Sequence, residues 1–251
     1  GALFSPEGYD LAFAATAHLP LRSKQEPGAS LGDVYSFNGA GWSYEEQAAL
    51  YAPPHMPDPR AAEFLDVAAS EVRELIEMSK GGAFVLCTSN RMMRLLAKRV
   101  GPELEYEWFM QGDAPKQTLL DRFRDVGDAV LFATASFWEG VDVIGAALSL
   151  VVIDKLPFAA PDDPVIEARS DALRRDGGNP FTQLFLPRAV IALKQGAGRL
   201  IRDVNDRGAL VICDPRIRTR GYGRVFQASL PPMGRADDRP QLEHFLESLH
   251  D

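Results

Sequence analysis

Short apolar runs alternate along this chain with longer segments in which apolar residues recur at the spacing of one helix face. The short runs predict strands at 83–88, 129–134, 148–153 and 208–213, with a short extended piece at 104–110. The longer segments predict helices at 60–78, 90–99, 116–125, 180–194 and 240–249, with a further helix after Pro164. Buried strands that alternate with amphipathic helices are typical of a mainly parallel sheet covered on both faces. The pattern therefore predicts an α/β fold with three α/β/α layers.

The first 58 residues do not follow this pattern. They are rich in glycine and proline, and the four prolines in 52–59 argue against regular structure there. We therefore predict an irregular N-terminal extension or linker at 1–58, partly packed on the body, and an α/β domain at 59–251. Three interpretations of the extension stay open: the tail of a preceding domain, a solvated linker, or a strand added to the sheet.

Composition is ordinary for a globular protein, with 46% hydrophobic and 25% charged residues. The net charge of −8 offers no overall attraction for nucleic acid, although a local positive strip would suffice. No apolar run approaches the roughly 20 residues that cross a bilayer, so we expect no membrane contact. Cys87 and Cys213 lie in apolar runs and are expected to be buried thiols of a reducing compartment, which favours the cytoplasm. The histidines lack metal-ligand spacing, so no metal site is expected.

The segment 195–202, Gln-Gly-Ala-Gly-Arg-Leu-Ile-Arg, combines two arginines with a glutamine. On a helix, Gln195, Arg199 and Arg202 would share one face. Two guanidiniums beside an amide match the oxygens of a phosphate, and Gly196 and Gly198 would let a ligand or another backbone come close. A solvated basic helix face is the alternative interpretation.

Polar residues also follow the first predicted strand, at the edge where parallel α/β sheets bind ligands. Thr88, Ser89 and Asn90 join this strand to a helix, so we expect their hydroxyls, amide and free N–H groups to point outward. A helix N-terminus binds phosphate through its dipole and its unpaired N–H groups. Ser89 as a simple helix cap is the alternative, and the two roles can coexist.

Two further segments leave predicted strands at the same edge. The segment 134–142 contains two acids, Glu139 and Asp142, and its alternative interpretation is a polar loop between strands. Lys155 and Phe158 follow the next strand. The Phe158 ring could stack on a base, although plain packing is the simpler role.

Four segments, in the right order, resemble the motifs of the second RecA-like motor domain of DinG/YoaA-type, XPD-like superfamily 2 DNA helicases. They are 84–90 (Phe-Val-Leu-Cys-Thr-Ser-Asn), 133–142 (Ala-Thr-Ala-Ser-Phe-Trp-Glu-Gly-Val-Asp), 151–158 (Val-Val-Ile-Asp-Lys-Leu-Pro-Phe) with 161–164 (Pro-Asp-Asp-Pro), and 195–202. The resemblance runs from about Trp42 to about Gln227. It implies a RecA-like form of the α/β/α fold.

The resemblance also implies roles for individual residues. Arg199 and Arg202 would act as fingers on the ATP γ-phosphate, with Gln195 positioning that phosphate or the attacking water. Further contacts to ATP are implied for Glu139, Gly140, Asp142 and Gly198. Contacts to single-stranded DNA are implied for Thr88, Ser89, Asn90, Thr134 and Ser136.

The sequence contains no Gly-x-x-x-x-Gly-Lys-Ser/Thr loop, no Asp-Glu-x-His/Asp box and no set of four cysteines. In the family that it resembles, these features belong to the first motor domain and its insertions. We therefore expect that ATP and Mg²⁺ are held mainly by a first domain of a longer protein, where an iron–sulfur cluster is also allowed, and that this chain alone is inactive. The iron–sulfur cluster is not expected in this chain.

The resemblance implies further properties of the intact helicase. Its partners would be single-stranded DNA, the first motor domain of the same protein and, in the YoaA branch, the chi subunit of the replicative clamp loader. Translocation would run 5′ to 3′ in DNA repair, in the nucleoid region of the cytoplasm. None of these properties follows from individual residues.

Two other classes of function compete with the helicase. A RecA-like domain without a phosphate loop could be a non-catalytic protein-docking or regulatory module, with its acidic surface facing a partner. An enzyme complete within this chain is the weaker rival, because no nucleophile, histidine and acid are grouped at motif spacing and no Gly-x-Ser-x-Gly elbow occurs.

Overall fold

The computed structural model describes residues 43–134, 137, 147–159, 163–198, 200–201 and 206–250. Within these ranges a seven-stranded sheet has the order β3-β4-β2-β5-β6-β1-β7, and all of its strand pairs are parallel. The strands are β1 (Ala48–Tyr51), β2 (Ala83–Cys87), β3 (Trp108–Met110), β4 (Val130–Thr134), β5 (Leu150–Ile153), β6 (Gly208–Ile212) and β7 (Gly234–Ala236). The predicted α/β fold with a mainly parallel sheet is confirmed.

Helices of the described ranges cover both faces of the sheet. They are α1 (Tyr44–Gln47), α2 (Phe64–Met78), α3 (Asn90–Val100), α4 (Lys116–Val126), α5 (Pro164–Arg175), α6 (Leu186–Ala197), α7 (Arg216–Thr219), α8 (Gly223–Ser229) and α9 (Arg239–Glu247). One core packs α2, α3 and α9 on the sheet, and the other packs α4, α6 and α8 on its opposite face. No helix among the described residues is long and apolar enough to cross a membrane.

The strands supply the two cores alternately. In β2, Val85 belongs to the core under α2, whereas Phe84 and Leu86 belong to the core under α4. This alternation follows from the pleat, which points successive side chains to opposite faces. Because both faces are covered by helices, β2 is buried along its whole length and appears in the sequence as a continuous apolar run.

Several predicted boundaries shift by a few residues. The helix predicted at 60–78 begins at Phe64, and the one predicted at 180–194 contains a π-helical stretch, Phe181–Phe185, before α6. Pro187 is the second residue of α6. Proline has no backbone N–H, and it is tolerated in the first turn of a helix. Strand β7 and helices α1, α7 and α8 were not predicted.

Part of the predicted N-terminal extension lies inside the sheet. Of the three interpretations of 1–58, the added strand is the one that Ala48–Tyr51 adopt, between β6 and β7. The regular structure thus begins N-terminal to residue 59, at Tyr44. The short helix expected within 11–21 lies outside the described residues.

Candidate functional site

All strands are parallel, so their carboxyl ends meet along one edge of the sheet. Polar side chains stand at five neighbouring strand ends along this carboxyl edge. They are Gln111 after β3, Thr134 in β4, Thr88 after β2, Asp154 after β5 and Asp214 after β6. Parallel α/β sheets bind their ligands at this edge, which makes it the candidate site of the domain.

Ser89 caps helix α3 and leaves the start of that helix open to solvent. Its hydroxyl accepts a hydrogen bond from the Met92 N–H at 3.2 Å, which is the predicted capping role. Ser89 and Asn90 are both exposed. The first turn of α3 therefore presents unpaired N–H groups at the edge, as an anion-binding helix terminus requires.

Thr88 is turned towards the neighbouring strand. Its N–H donates to Asp154 Oδ1 at 2.8 Å, and its hydroxyl donates to Asp154 Oδ2 at 3.3 Å. The expectation that this hydroxyl points outward is therefore wrong, because the buried Asp154 carboxylate is its acceptor. The bond instead joins the turn after β2 to the end of β5.

Asp154 is a buried carboxylate that the sequence interpretation did not single out. It is only 1% exposed, and it also accepts a hydrogen bond from the Lys155 N–H at 2.7 Å. Burial raises the pKa of Asp154 to about 7, although the Lys155 charge and the hydrogen bonds from Thr88 and Lys155 lower it in part. Asp154 can therefore change its protonation state near neutral pH.

Asp214 plays a similar part at the end of β6. Its carboxylate is fully buried and accepts the Leu156 N–H at 2.8 Å. It also binds the Arg216 guanidinium through three contacts, Nε–Oδ1 at 2.9 Å, Nε–Oδ2 at 3.1 Å and Nη2–Oδ2 at 2.6 Å. Asp154 and Asp214 thus bind the backbone N–H groups of two consecutive residues after β5, Lys155 and Leu156. Each acid follows an apolar strand directly, and this sequence signal could have identified both residues.

Gln111 orients Thr134 at the other end of the candidate site. The Gln111 Oε1 accepts hydrogen bonds from the Thr134 N–H at 2.8 Å and from its hydroxyl at 2.9 Å. The structure therefore brings Thr134 and Thr88 to the ends of adjacent strands, as predicted. Four other predicted site residues lie outside the described ranges: Ser136, Glu139, Gly140 and Asp142.

Helix α6 ends at Ala197, and this corrects the prediction of one helical face across 195–202. The Gly198 N–H still bonds to the Lys194 carbonyl at 2.9 Å, but the Leu200 N–H closes a tighter turn onto the Ala197 carbonyl at 3.2 Å. Glycine has a low helix propensity, which favours termination near Gly198. Among the described residues, the helix that would carry Gln195 does not continue past Ala197.

The predicted residues of that segment have different environments. Gln195 is exposed on the last turn of α6, and Gly198 is partly buried. Arg199 and Arg202 lie outside the described residues. Leu193, Ala197 and Leu200 are buried in the core under α6.

Phe158 packs within a cluster of aromatic rings. Its ring centroid lies 5.7 Å from that of Phe226 and 5.8 Å from that of Phe181, and the Arg216 guanidinium carbon lies 5.6 Å from its centre. The packing interpretation of Phe158 agrees with these contacts.

Cys87 and Cys213 are buried free thiols. No group of three or more histidine, cysteine, aspartate or glutamate side chains in the described ranges could hold a metal ion.

Comparison with known proteins adds evidence for the family. A family profile described as the helicase C-terminal domain matches residues 72–233. The chain is 48% identical over 205 residues to the ATP-dependent DNA helicase YoaA of Escherichia coli strain K12. This alignment covers 82% of this chain and 32% of that protein. The chain is 36% identical over 212 residues to the ATP-dependent helicase DinG of Mycobacterium tuberculosis strain H37Ra, which covers 84% of this chain and 32% of the relative.

The chain therefore spans about a third of the length of these curated relatives. Among solved structures, Xpd4 of S. tokodaii superposes with a TM-score of 0.58 at 14% identity, covering 76% of this chain and 39% of that one. This likeness confirms the predicted RecA-like fold. The sequence matches confirm the predicted relationship to the C-terminal domains of DinG/YoaA-type helicases.

Proposed function

Because the chain belongs to the family of helicase C-terminal domains, we propose that it is the second motor domain of an ATP-dependent DNA helicase. The observation that carries the proposal is the alignment of Thr134, Thr88 and the capped start of α3 along one sheet edge. The similarity to YoaA and DinG, both named ATP-dependent helicases, supports it.

In this proposal, ATP and Mg²⁺ are held mainly by a first motor domain, and this chain completes the ATP site. Arg199 and Arg202 neutralise charge on the γ-phosphate in the transition state, and Gln195 positions that phosphate or the attacking water. Glu139, Gly140, Asp142 and Gly198 provide the remaining nucleotide contacts. An arginine finger contributes roughly 10³–10⁵ to the turnover of phosphoryl-transfer enzymes.

The carboxyl edge would contact single-stranded DNA. Ser89, Asn90 and the N–H groups of the first turn of α3 are suited to bind a backbone phosphate. Arg91 is exposed in the same turn and adds positive charge. Thr88, Thr134 and Ser136 complete this DNA contact in the proposal.

Finer properties follow from the resemblance to the YoaA branch. We propose 5′-to-3′ translocation, a role in DNA repair in the cytoplasm near the nucleoid, and contact with the chi subunit of the replicative clamp loader. An iron–sulfur cluster would belong to the first motor domain. No described residue of this chain is assigned to these properties.

The test is DNA-stimulated ATP hydrolysis by the full-length protein. Arg202→Ala should reduce turnover by roughly 10³-fold or more, because a finger of this kind acts mainly in the transition state. Arg188→Ala, which removes an exposed arginine of α6, is the matched control and should retain activity. Undiminished turnover of Arg202→Ala would contradict the finger assignment, and a wild-type protein without ATPase activity would favour the non-catalytic module.

A further inference from the structure

A groove rich in arginine is formed by the segment that follows β6. It has a volume of about 330 Å³ and contains no acidic side chain among the described residues that line it. This arginine groove is lined by Ile217, Arg218, Thr219, Arg220, Gly221, Arg224 and Gln227. Such a local concentration of positive charge contrasts with the net charge of −8 of the whole chain.

The arginines of the groove are available to a ligand. The guanidiniums of Arg220 and Arg224 are exposed and make no hydrogen bond or ion pair with any described residue. Arg218 donates a single hydrogen bond, from Nη1 to the Ala52 carbonyl at 2.9 Å. In contrast, Arg216 and Arg239 each bind a buried carboxylate. The groove therefore holds two guanidiniums, those of Arg220 and Arg224, whose charge no described residue neutralises.

The groove continues the proposed DNA path. It is formed by α7, the loop after α7 and α8, which follow β6 at the carboxyl edge. Only β5 separates β6 from β2, so the two strand ends are about 10 Å apart at the usual strand spacing. Arg218 contacts the Ala52 carbonyl just after β1, so the groove lies on the β1 side of β6. A nucleic-acid strand at the end of β2 would cross the ends of β5 and β6 to reach it.

Tyr222 links the arginine segment of the chain to an exposed aromatic ring, that of Phe181. Tyr222 lies between Arg220 and Arg224 in the chain and is partly buried. The Phe181 ring centroid lies 5.2 Å from that of Tyr222, and Phe181 is 37% exposed. An exposed aromatic beside basic side chains is the usual combination in proteins that bind single-stranded nucleic acid, because bases stack on the ring while cations hold the phosphates.

We propose that the arginine groove binds the phosphates of single-stranded DNA and that Phe181 stacks on a base beside it. The inference rests on the proposed DNA contact of this domain, and it assigns that contact a second site beyond Thr88, Ser89 and Thr134. The exposed ring favours a nucleic acid over an acidic peptide, since a peptide made of acidic residues would use the guanidiniums and leave Phe181 unused.

The test is the affinity of this chain for fluorescein-labelled oligo-thymidine, measured by anisotropy at several salt concentrations. Arg220→Gln/Arg224→Gln should weaken binding about tenfold at low salt. It should also lower the slope of log affinity against log salt by about 1.4, since each phosphate contact to a single strand contributes about 0.7. Arg122→Gln/Arg169→Gln, which removes two exposed and unpaired arginines of α4 and α5, is the matched control and should change neither quantity.

A second variant separates stacking from charge. Phe181→Leu keeps an apolar side chain but removes the ring, so it should weaken binding about fivefold to tenfold without changing the salt slope. Thermal unfolding of each variant checks that the fold is intact. A salt slope that falls as far in Phe181→Leu as in the arginine variant would contradict the assigned roles.

The remaining outcomes separate this inference from the proposed function. If wild-type chain binds oligo-thymidine and Arg220→Gln/Arg224→Gln binds equally well, the groove is not a DNA site while the proposed function stands. If the arginine variant loses only the binding of a labelled Asp/Glu peptide, the groove is a protein-docking surface and the inference is wrong. A wild-type chain that binds no oligo-thymidine would contradict the inference and the proposed DNA contact together.

Discussion

The carboxylate of Asp154 accepts hydrogen bonds from both the N–H and the hydroxyl of Thr88, across the junction between β5 and β2. Thr88 belongs to the turn proposed to contact DNA, so the position of that turn depends on a buried acid. The same carboxylate accepts the Lys155 N–H, which couples the turn to the segment after β5. This arrangement makes Asp154 a positioning residue whose protonation can be tested.

Asp154→Asn should change the pH dependence of stability. The pKa of Asp154 is raised to about 7 in the folded state, so the folded state binds more protons than the unfolded state between about pH 4 and 7. The contribution of Asp154 to the free energy of unfolding is therefore fully present below about pH 4 and is lost as pH rises to about 7. The loss amounts to about 4 kcal/mol from the two pKa values.

Urea unfolding at about pH 5 and pH 8 measures this contribution. Asparagine resembles the protonated carboxyl and does not titrate, so the variant should gain stability relative to wild type as pH rises. Identical pH profiles for the two proteins would show that Asp154 does not titrate in this range.

Substitutions of Ser89 separate capping from DNA binding. Ser89→Ala should lower the free energy of unfolding by about 1 kcal/mol, because the Met92 N–H loses its acceptor. Ser89→Asp retains a capping oxygen and should keep the stability, but its carboxylate would repel a backbone phosphate. The aspartate variant should therefore weaken oligo-thymidine binding while its thermal unfolding stays close to that of wild type.

Gln241→Glu is the charge control for this comparison. It adds one negative charge in the first turn of α9, which follows β7 at the far end of the sheet. Its DNA affinity should stay close to that of wild type. Equal affinities of Ser89→Asp and wild type would remove Ser89 from the proposed DNA contact.

Arg216→Met should lower the free energy of unfolding by more than the double substitution that also removes the Asp214 charge. Alone it leaves a buried carboxylate without its guanidinium partner, and such a change costs about 3–5 kcal/mol. Adding Asp214→Asn removes the uncompensated charge and should restore part of that stability. A double-mutant cycle in urea measures the coupling, and strictly additive effects would mean that the pair contributes no specific interaction.

Strand β1 should be required for a soluble domain. A chain that begins at residue 43 keeps every described element, whereas one that begins at residue 59 loses α1 and β1. Removal of β1 exposes the edge of β6 and leaves β7 without a partner strand among the described residues. Unpaired strand edges promote aggregation.

Size-exclusion chromatography and thermal unfolding compare the two chains. The chain from residue 43 should be monomeric and unfold cooperatively, and the chain from residue 59 should aggregate. A stable monomer that begins at residue 59 would show that β1 is dispensable.

The sequence predicts the central strands well because they are buried on both faces. Val130–Thr134 and Leu150–Ile153, for example, are continuous apolar runs that neither a loop nor a surface helix would contain. Strand β7, Gly-Arg-Ala, has no such pattern, and β1 lies beside a segment rich in proline. Both form because their partner strands are present, and that information is not local in the sequence.

The candidate site was predicted in outline but not in its supporting contacts. Motif residues such as Ser89 and Thr134 could be identified because the resemblance marked them, whereas Asp154, Asp214 and Gln111 act by holding neighbouring backbone in place. Helix α6 ends at Ala197 and not beyond Gly198, because glycine favours helix termination and the apolar periodicity does not report it.

The pairing of β1 also determines when this domain can finish folding. Ala48 pairs with Gly208, and Ala49 pairs with Gly234, so an early strand waits for partners near the other end of the chain. During synthesis on the ribosome, β2, β4 and β5 can associate first, while β1 stays unpaired until β6 and β7 have emerged. Such long-range pairing slows folding, so the edge of β1 stays exposed in the nascent chain until the last strands are made.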